Sequence, residues 1–565
     1  MREHQAGKSP EARLGDAVSD TPAHGWAGID KTVFGVSLVI VVAVCILGIF
    51  FTEAIEGAAG AALGWITSTF GWLFILAATG FVAFSLVLAF GRYGNIPLAR
   101  EGEGPEFSTL SWIAMMFSAG MGIGLMFFGV YEPVTHLATP PPFVAAEPGS
   151  EAAASSAMAY TLFHWGLHPW AIYSVVGLAL AYSTYRMGRG NLMSSPFHSL
   201  LGKERIEKGW GKPIDILAII CTKFGSATSL GLGALQIAAG LTLLQTGEFD
   251  DDPGAALPII IICVLTVGVV FSAASGVSKG IKWLSNTNMI LAAVLLVFVF
   301  VVGPTVFILD LLPNSIGTYL SSLMSMSFHS AVFGGDEWLA SWTIFYWAWW
   351  ISWTPFVGTF IARISRGRTI KEFVLGVLLV PTAVSIIWFT IFGGAGINAQ
   401  LGGLDIAGSG SEAAGFFALL QQYPFFIGAA IVVMVLTAVF FVSGADAGSL
   451  VLGTLSSRGK KEPWKPLVIM WAILTGAVAA VLLFVGGLGA LQTFTILAAT
   501  PFVLIIMGLC VALYADLRKD PLRQRRMGPV RGATAVPTTV PFAQPVETGS
   551  IDIVDSPTKR EPDDK

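Results

Sequence analysis

The sequence predicts an all-α protein that crosses a membrane many times, and three observations support this prediction. Apolar residues make up 54% of the 565 residues and charged residues only 12%, which is too apolar for a soluble chain of this length. Apolar runs longer than about 18 residues, enough to cross a hydrocarbon core of about 30 Å, recur along the chain. Lys and Arg are confined to alternate loops between these runs. We therefore predict twelve transmembrane helices.

The predicted spans cover residues 33–52, 70–91, 110–130, 157–183, 213–245, 257–275, 288–311, 340–362, 373–394, 425–446, 466–486 and 492–514. They form one transmembrane domain, residues 31–515. The flanking segments 1–30 and 516–565 are polar, and we expect both to be disordered tails.

The basic residues predict the orientation. Of the 32 Lys and Arg residues, all except Lys223 lie in the termini or in the loops on one side of the membrane. Because Lys and Arg are retained on the cytoplasmic side, this predicts a cell-membrane protein with both termini cytoplasmic. The four cysteines show no paired spacing, so they imply no disulfide and no cysteine-bound metal. We expect no cofactor. No His-Glu-x-x-His motif, P-loop or Ser-His-Asp arrangement is evident, which argues against an enzyme.

Spans one and two contain no internal ionisable residue, and we interpret them as scaffold helices. Span three contains Gly120, Gly122 and Gly124 around Met121. Each glycine costs a helix about 1 kcal/mol relative to alanine, and a broken helix inside a membrane is tolerated where it lines a cavity. Close helix packing is the alternative explanation of these small residues.

Span four supplies aromatic side chains at Trp165, Trp170 and Tyr173. His164 and His168 lie four residues apart, as metal ligands often do. No carboxylate accompanies them within this span, so we favour structural histidines.

Span five carries a hydroxyl-rich segment, residues 221–229, which includes Thr222, Ser226 and Ser229. Lys223 lies within it, too far from the cytoplasmic end to reach water with its own stem. Because a charge in a span costs at least about 2.5 kcal/mol, Lys223 is predicted to be functional or paired.

Span eight contains the most distinctive stretch, Trp342 to Phe356, in which eight of fifteen residues are aromatic. A helical period places most of these rings on one stripe. Such a stripe is typical either of a membrane-interface belt or of a surface that binds a desolvated cation, quaternary ammonium above all. Fifteen helical residues span roughly 21 Å, which is too deep for the headgroup region alone and favours the binding surface.

Span ten ends with Ser443, Asp446 and Ser449 in a stretch of small residues. Oxygen ligands of this kind hold hard cations such as sodium, and simple helix packing is an equal alternative.

Four segments of the chain resemble the betaine/choline/carnitine transporter family, and the sodium-coupled glycine betaine symporters most of all. They are residues 120–124, 163–170, 230–236 and 347–353, with the basic segment 363–368. The resemblance covers about residues 30–515. It implies a LeuT-type fold in which spans 3–7 and 8–12 form two inverted five-helix repeats, and it implies a homotrimer.

The resemblance also implies roles for individual residues. Trp165, Trp170, Tyr173 and Trp350 would form an aromatic box around a trimethylammonium group. The full candidate substrate site is Trp165, Trp170, Tyr173, Trp349, Trp350, Trp353, Gly120, Met121, Gly122, Gly124 and Ser229. Two candidate sodium sites would use Ser118, Met121, Phe440 and Ser443 with Gly444, and Thr222, Ser226 and Phe356.

Three features differ from the family pattern. Gly444 replaces a hydroxyl ligand, Lys223 places an ammonium beside a cation site, and the C-terminal segment lacks the long basic helix of osmosensing relatives. Lys223 and Asp446 are therefore candidates for coupling, either as a pair or with Lys223 replacing an ion. Glycine at position 124 favours a zwitterion over choline.

Together these patterns predict a secondary transporter that imports a zwitterionic compatible solute, with glycine betaine favoured, by sodium symport. Ectoine, proline, carnitine or choline uptake, and proton-coupled or exchange modes, remain open.

Overall fold

A computed structural model describes residues 25–120, 122–248, 253–275, 278–409 and 411–522. The described chain is predominantly helical, and its only β-type pairing is an isolated antiparallel bridge between Pro97 and Thr369. We number the helices of twelve or more residues in chain order. They are α1 (Lys31–Phe50), α2 (Thr52–Phe90), α3 (Thr109–Gly120), α4 (Ile123–Ala138), α5 (Glu151–Trp165), α6 (Leu167–Ala181), α7 (Gly211–Thr246), α8 (Ala256–Ser275), α9 (Ser278–Val302), α10 (Thr305–Phe328), α11 (Phe345–Ile364), α12 (Ile370–Leu401), α13 (Phe426–Ser456) and α14 (Lys465–Lys519).

Shorter helical segments join these helices. They are Trp26–Gly28, Tyr182–Arg186, Ser195–Phe197, His198–Leu201, Lys203–Arg205, Ile206–Trp210, Ala331–Phe333, Asp336–Leu339, Ala340–Ile344 and Gly415–Gln421.

Eight helices in the described part of the chain are long and apolar enough to cross a membrane. Each predicted span overlaps a helix, but several boundaries differ because the chain breaks at small residues. Span four is divided at Gly166 into α5 and α6, and the predicted span 288–311 is interrupted before Thr305, where α10 begins. Within α14, Gly486 and Gly487 leave the helical conformation, and Gly487 has a φ of 58°, which favours glycine.

The interior is formed by the helices that carry the candidate site. In α6, fourteen of fifteen residues are buried, and α7 is buried along most of its length. α6 packs against α11, α4 packs against α12, and α7 packs against both α13 and α14. α1 lies at the periphery, where much of its apolar surface is exposed. The aromatic and hydroxyl-rich segments therefore meet in the centre of the bundle.

Both expected tails begin differently in the structure. Residues 25–30 are ordered, because Ile29 is buried and Asp30 caps α1 and binds Lys212. At the other end the helix continues to Lys519, four residues beyond the predicted boundary. The remaining parts of both predicted tails, residues 1–24 and 523–565, lie outside the described residues.

Two ion pairs hold the last turn of α14 in place. Arg189 binds Asp516 through two nitrogens at 2.6 and 3.0 Å. Arg186 binds both oxygens of Asp520, at 3.0 and 3.2 Å, and Tyr182 donates its hydroxyl to the same carboxylate at 2.7 Å. Burial raises the pKa of Asp520, but the hydrogen bonds from Arg186 and Tyr182 outweigh it and the pKa is lowered overall. Composition alone does not predict these contacts.

The Arg186→Ala variant is expected to lower the thermal unfolding midpoint by several degrees, because removing one partner of a buried pair costs about 3–5 kcal/mol. Arg366→Ala is the matched control. Its pair with Glu103 is exposed and is worth at most about 1 kcal/mol. Differential scanning fluorimetry of the purified variants makes the comparison.

The pH dependence of this stabilisation also follows. Because the pKa of Asp520 is lower in the folded state than its unfolded value of about 3.9, the pair stabilises the protein above pH 4. Its contribution is lost only as the pH falls through the folded pKa. The difference in midpoint should therefore be the same at pH 6 and pH 8, and a difference that disappears at pH 6 would contradict the assignment.

Candidate functional site

A cavity of about 360 Å³ lies in the centre of the bundle, within the size range of small-molecule sites. Helices α4, α5, α6, α7, α9, α11, α12 and α13 all contribute to its wall. The candidate residues that line it are Gly122, Gly124, Trp165, Trp170, Tyr173, Ser226, Ser229, Trp349, Trp350, Trp353, Phe356, Phe440, Ser443 and Gly444. Thus the structure brings together most of the residues that the sequence singled out on five separate predicted spans.

Four of the rings form one continuous aromatic wall. Trp165 meets Trp350 edge to face, with 5.0 Å between ring centroids and an interplanar angle of 81°. Tyr173 also meets Trp350 at a steep angle, at 6.0 Å, and Trp170 lies 5.4 Å from Tyr173. These perpendicular contacts produce a concave surface of π faces and edges, which is the arrangement that holds an onium group.

The indole N–H groups of three tryptophans on α11 donate hydrogen bonds within the protein. Trp349 donates to the Ser229 hydroxyl at 3.1 Å, and Trp350 donates to the His164 carbonyl at 3.0 Å. Trp353 donates to the Gly225 carbonyl at 3.0 Å. Since an indole has one donor, these three rings can offer a ligand only their apolar, electron-rich surfaces. Ser229 therefore orients Trp349 in addition to lining the cavity.

The predicted helix break adjoins the aromatic wall. α3 ends at Gly120 and α4 begins at Ile123, while Gly122 between them is extended, with a φ of −167°. Met121 lies outside the described residues. The first backbone N–H groups of α4 have no partner within the helix, and a helix N-terminus favours an anionic group. A carboxylate can therefore bind on this side of the cavity.

Gly124 is required by the close approach of two rings. A Cβ atom at this position would lie 2.6 Å from Cη2 of Trp165 and 2.7 Å from Cη2 of Trp349. Both distances are well inside van der Waals contact. Any side chain at position 124 must displace the aromatic wall.

Four of the candidate sodium ligands lie in the wall of the cavity. Ser226, Phe356, Phe440 and Ser443 line the same cavity, and the Thr222 hydroxyl is buried without a hydrogen-bond partner among the described residues. The Ser443 hydroxyl donates to the Val439 carbonyl at 2.8 Å, which leaves its lone pairs available to a cation. Ser118 belongs to α3, the helix that ends at the break.

The two coupling candidates do not pair with each other. Lys223 donates to the Trp471 carbonyl at 2.7 Å and to the Thr475 hydroxyl at 2.5 Å, and its ammonium lies 4.8 Å from the Trp471 ring centroid. Asp446 accepts from the Ser272 hydroxyl at 3.0 Å. Neither residue lines the cavity. The hypothesis of a Lys223–Asp446 pair is therefore wrong for this structure, because each side chain is directed to a different helix.

Sequence reasoning missed Asn288 in the wall of the cavity. The side chain is 2% exposed, and its Oδ1 has no hydrogen-bond partner among the described residues. A buried amide oxygen without a partner is costly, and here it can accept from a ligand. Two asparagines at the start of an apolar run, Asn286 and Asn288, were the available signal.

A buried carboxylate behind the aromatic wall was missed as well. Oε2 of Glu132 accepts from Trp165 Nε1 at 2.7 Å and from the Tyr346 hydroxyl at 2.5 Å. Oε1 of the same carboxylate lies 2.7 Å from Nδ1 of His164. The prediction ended span three at residue 130, so Glu132 was assigned to a loop. His164 has a carboxylate partner after all, on a different helix.

A polytopic helical bundle with a central aromatic cavity beside a broken helix is typical of a secondary transporter. The chain belongs to the betaine/carnitine/choline transporter family (BCCT), whose model matches residues 32–522. This confirms the resemblance seen in the sequence, and the chain is a multi-pass membrane transporter and not an enzyme.

Two curated relatives resemble most of the chain. The glycine betaine transporter OpuD of Bacillus subtilis (strain 168) is 43% identical over 493 residues, which cover 87% of this chain and 95% of OpuD. The betaine/ectoine transporter LcoP of Corynebacterium glutamicum is 43% identical over 507 residues, which cover 88% of this chain and 80% of LcoP. A solved sodium-coupled sialic acid symporter, in a substrate-bound outward-open state, is 14% identical with a TM-score of 0.41, over 80% of this chain and 86% of the symporter.

Proposed function

We propose that this protein imports a zwitterionic quaternary-ammonium compatible solute, with glycine betaine favoured, by sodium symport. One observation carries the proposal: aromatic rings from α5, α6 and α11 converge on one cavity next to the break between α3 and α4. Relatives that are named glycine betaine transporters support the choice of substrate. Because LcoP is named a betaine/ectoine transporter, ectoine is the second candidate substrate.

The two charged groups of the proposed substrate match two parts of the cavity, the aromatic wall and the start of α4. The trimethylammonium group binds against Trp165, Trp170, Tyr173 and Trp350, where a desolvated cation–π contact is worth about 2 kcal/mol or more. The carboxylate of the zwitterion accepts from backbone N–H groups at the start of α4. Gly124 adds no charge to the site, which suits a zwitterion because its own carboxylate balances the ammonium group.

Sodium supplies the driving force in this proposal. Cation ligands from α7 and α13, including Ser226 and Ser443, line the cavity, so an ion bound there would hold these helices together. Lys223 is not one of the cavity-lining residues, and its ammonium binds oxygens of α14, which removes one objection to sodium. Gly444 supplies no hydroxyl ligand, but its neighbours Phe440 and Ser443 remain in the cavity wall as candidate ligands.

For the architecture, we propose twelve spans in two inverted five-helix repeats, with both termini cytoplasmic. Helices at all twelve predicted positions and the distribution of Lys and Arg support this arrangement. The chain breaks between α3 and α4 at Gly122, and α14 leaves the helical conformation at Gly486 and Gly487, where predicted span eleven gives way to span twelve. A homotrimer rests on the family resemblance.

Uptake of labelled glycine betaine into proteoliposomes tests the proposal, with sodium, potassium and proton gradients imposed separately. We expect accumulation with an inward sodium gradient only. In the Ser443→Ala variant the sodium concentration for half-maximal uptake should rise about tenfold. Ser449→Ala is the control, because its hydroxyl bonds to the Ala445 carbonyl and is not part of the cavity wall. Uptake that follows a proton gradient, or that is indifferent to ions, would refute sodium symport.

A further inference from the structure

Three fully buried side chains come together beside the aromatic wall, outside the proposed substrate and sodium sites. They are Glu132 and His136, one turn apart on α4, and His164 at the end of α5. One ligand atom from each lies within 4.8 Å of those of the other two. We propose that this cluster binds one first-row divalent metal ion of the Zn²⁺ type.

The two oxygens of the Glu132 carboxylate have different partners. Its Oε2 is held by Trp165 and Tyr346, which fix the orientation of the Glu132 side chain. Its Oε1 faces both histidines, at 2.7 Å from Nδ1 of His164 and 3.6 Å from Nε2 of His136. Outer partners that orient a ligand in this way are a regular part of metal sites in proteins.

Each of the two imidazoles has a ring nitrogen available to bind an ion. His164 Nε2 lies 3.0 Å from the Thr343 hydroxyl, which supports the ring from behind and leaves Nδ1 toward Glu132. His136 has no hydrogen-bond partner on either ring nitrogen among the described residues, although its side chain is fully buried. A buried polar group without a partner costs about 1–3 kcal/mol, and a metal bond would remove that cost.

The spacing and the donor types identify the class of ion. Zn²⁺ bonds to imidazole nitrogen and carboxylate oxygen are about 2.0–2.2 Å long, so tetrahedral ligand atoms lie roughly 3.4 Å apart. The three ligand atoms reach this spacing if each side chain moves by about 1 Å. Two imidazoles and one carboxylate favour zinc or its neighbours over magnesium or calcium, which prefer oxygen ligands alone.

Equilibrium binding to the full-length protein, purified without a polyhistidine tag, tests this inference. Isothermal titration with Zn²⁺ measures stoichiometry and affinity, and Co²⁺ reports coordination through its visible absorption. Because the ligands are fully buried, the samples are equilibrated overnight with each metal. We expect one equivalent of Zn²⁺ and an intense Co²⁺ band typical of tetrahedral nitrogen and oxygen ligation.

His136→Gln should weaken the binding at least about tenfold and remove the Co²⁺ band. The matched control is His168→Gln, since His168 is also buried, stacks on Trp347 and lies outside the cluster. Thermal unfolding without metal verifies that each variant is folded. No stoichiometric binding in the wild type, or equal binding by folded His136→Gln, would overturn the proposal. Because uptake is not the readout, this outcome is independent of the transport proposal.

Discussion

Trp350→Leu is expected to abolish high-affinity uptake of glycine betaine. Trp350 contacts both Trp165 and Tyr173, so its ring is the central member of the aromatic wall. Removing it takes away one cation–π contact of about 2 kcal/mol, a factor of roughly thirty in affinity. The neighbours also lose a packing partner, and we therefore expect a total loss of about a hundredfold.

Concentration-dependent uptake in proteoliposomes measures this effect, with the amount of folded transporter normalised in each sample. Trp72→Leu is the control, because the Trp72 side chain is 53% exposed at the surface of α2. Trp350→Phe retains a π face and should recover part of the affinity. Unchanged uptake kinetics in a folded Trp350→Leu variant would remove the aromatic wall from the binding site.

Gly124→Ala is expected to reduce uptake about ten- to a hundredfold, although it adds only a methyl group. The added Cβ would lie 2.6 Å from one ring and 2.7 Å from another, so Trp165 or Trp349 must move. Overpacking of this kind typically costs about 1–3 kcal/mol. Here the displaced atoms belong to the wall that contacts the substrate, so the cost appears in binding.

Gly80→Ala is the matched control, since a Cβ at that position of α2 meets no atom within 4 Å. Its uptake should equal that of the wild type. Equilibrium binding of labelled betaine separates an effect on affinity from an effect on turnover. If Gly124→Ala bound and transported betaine normally, the rings would not be held at the positions described.

The sequence predicted the residues of the aromatic wall because they occur in two unusual local patterns. Trp165, Trp170 and Tyr173 lie close together in one apolar run, and Trp350 lies in the tryptophan-rich run 342–356. Hydrophobic periodicity and aromatic density are local properties, so they can be read from a single chain. The glycine break at residues 120–124 was predicted for the same reason, since helix propensity is local.

Contacts between distant segments could not be predicted in this way. Glu132 binds side chains on α5 and α11, and Lys223 reaches the carbonyl of Trp471, 248 positions further along the chain. A charge in an apolar run indicates that a partner exists, but the packing of helices decides which one. The end of α14 has the same origin, because Arg189 binds Asp516 in its last turn and Arg186 binds Asp520, the residue that follows the helix.

The most direct measurement of the central claim compares two ligands of the same shape. Glycine betaine and 3,3-dimethylbutanoate both carry a carboxylate next to a group with three methyls, but only betaine has a positive charge there. If aromatic rings hold the onium group, betaine should bind the purified protein at least about thirtyfold more tightly, and this preference should shrink in Trp350→Leu. Equal affinity for the two ligands would contradict the account.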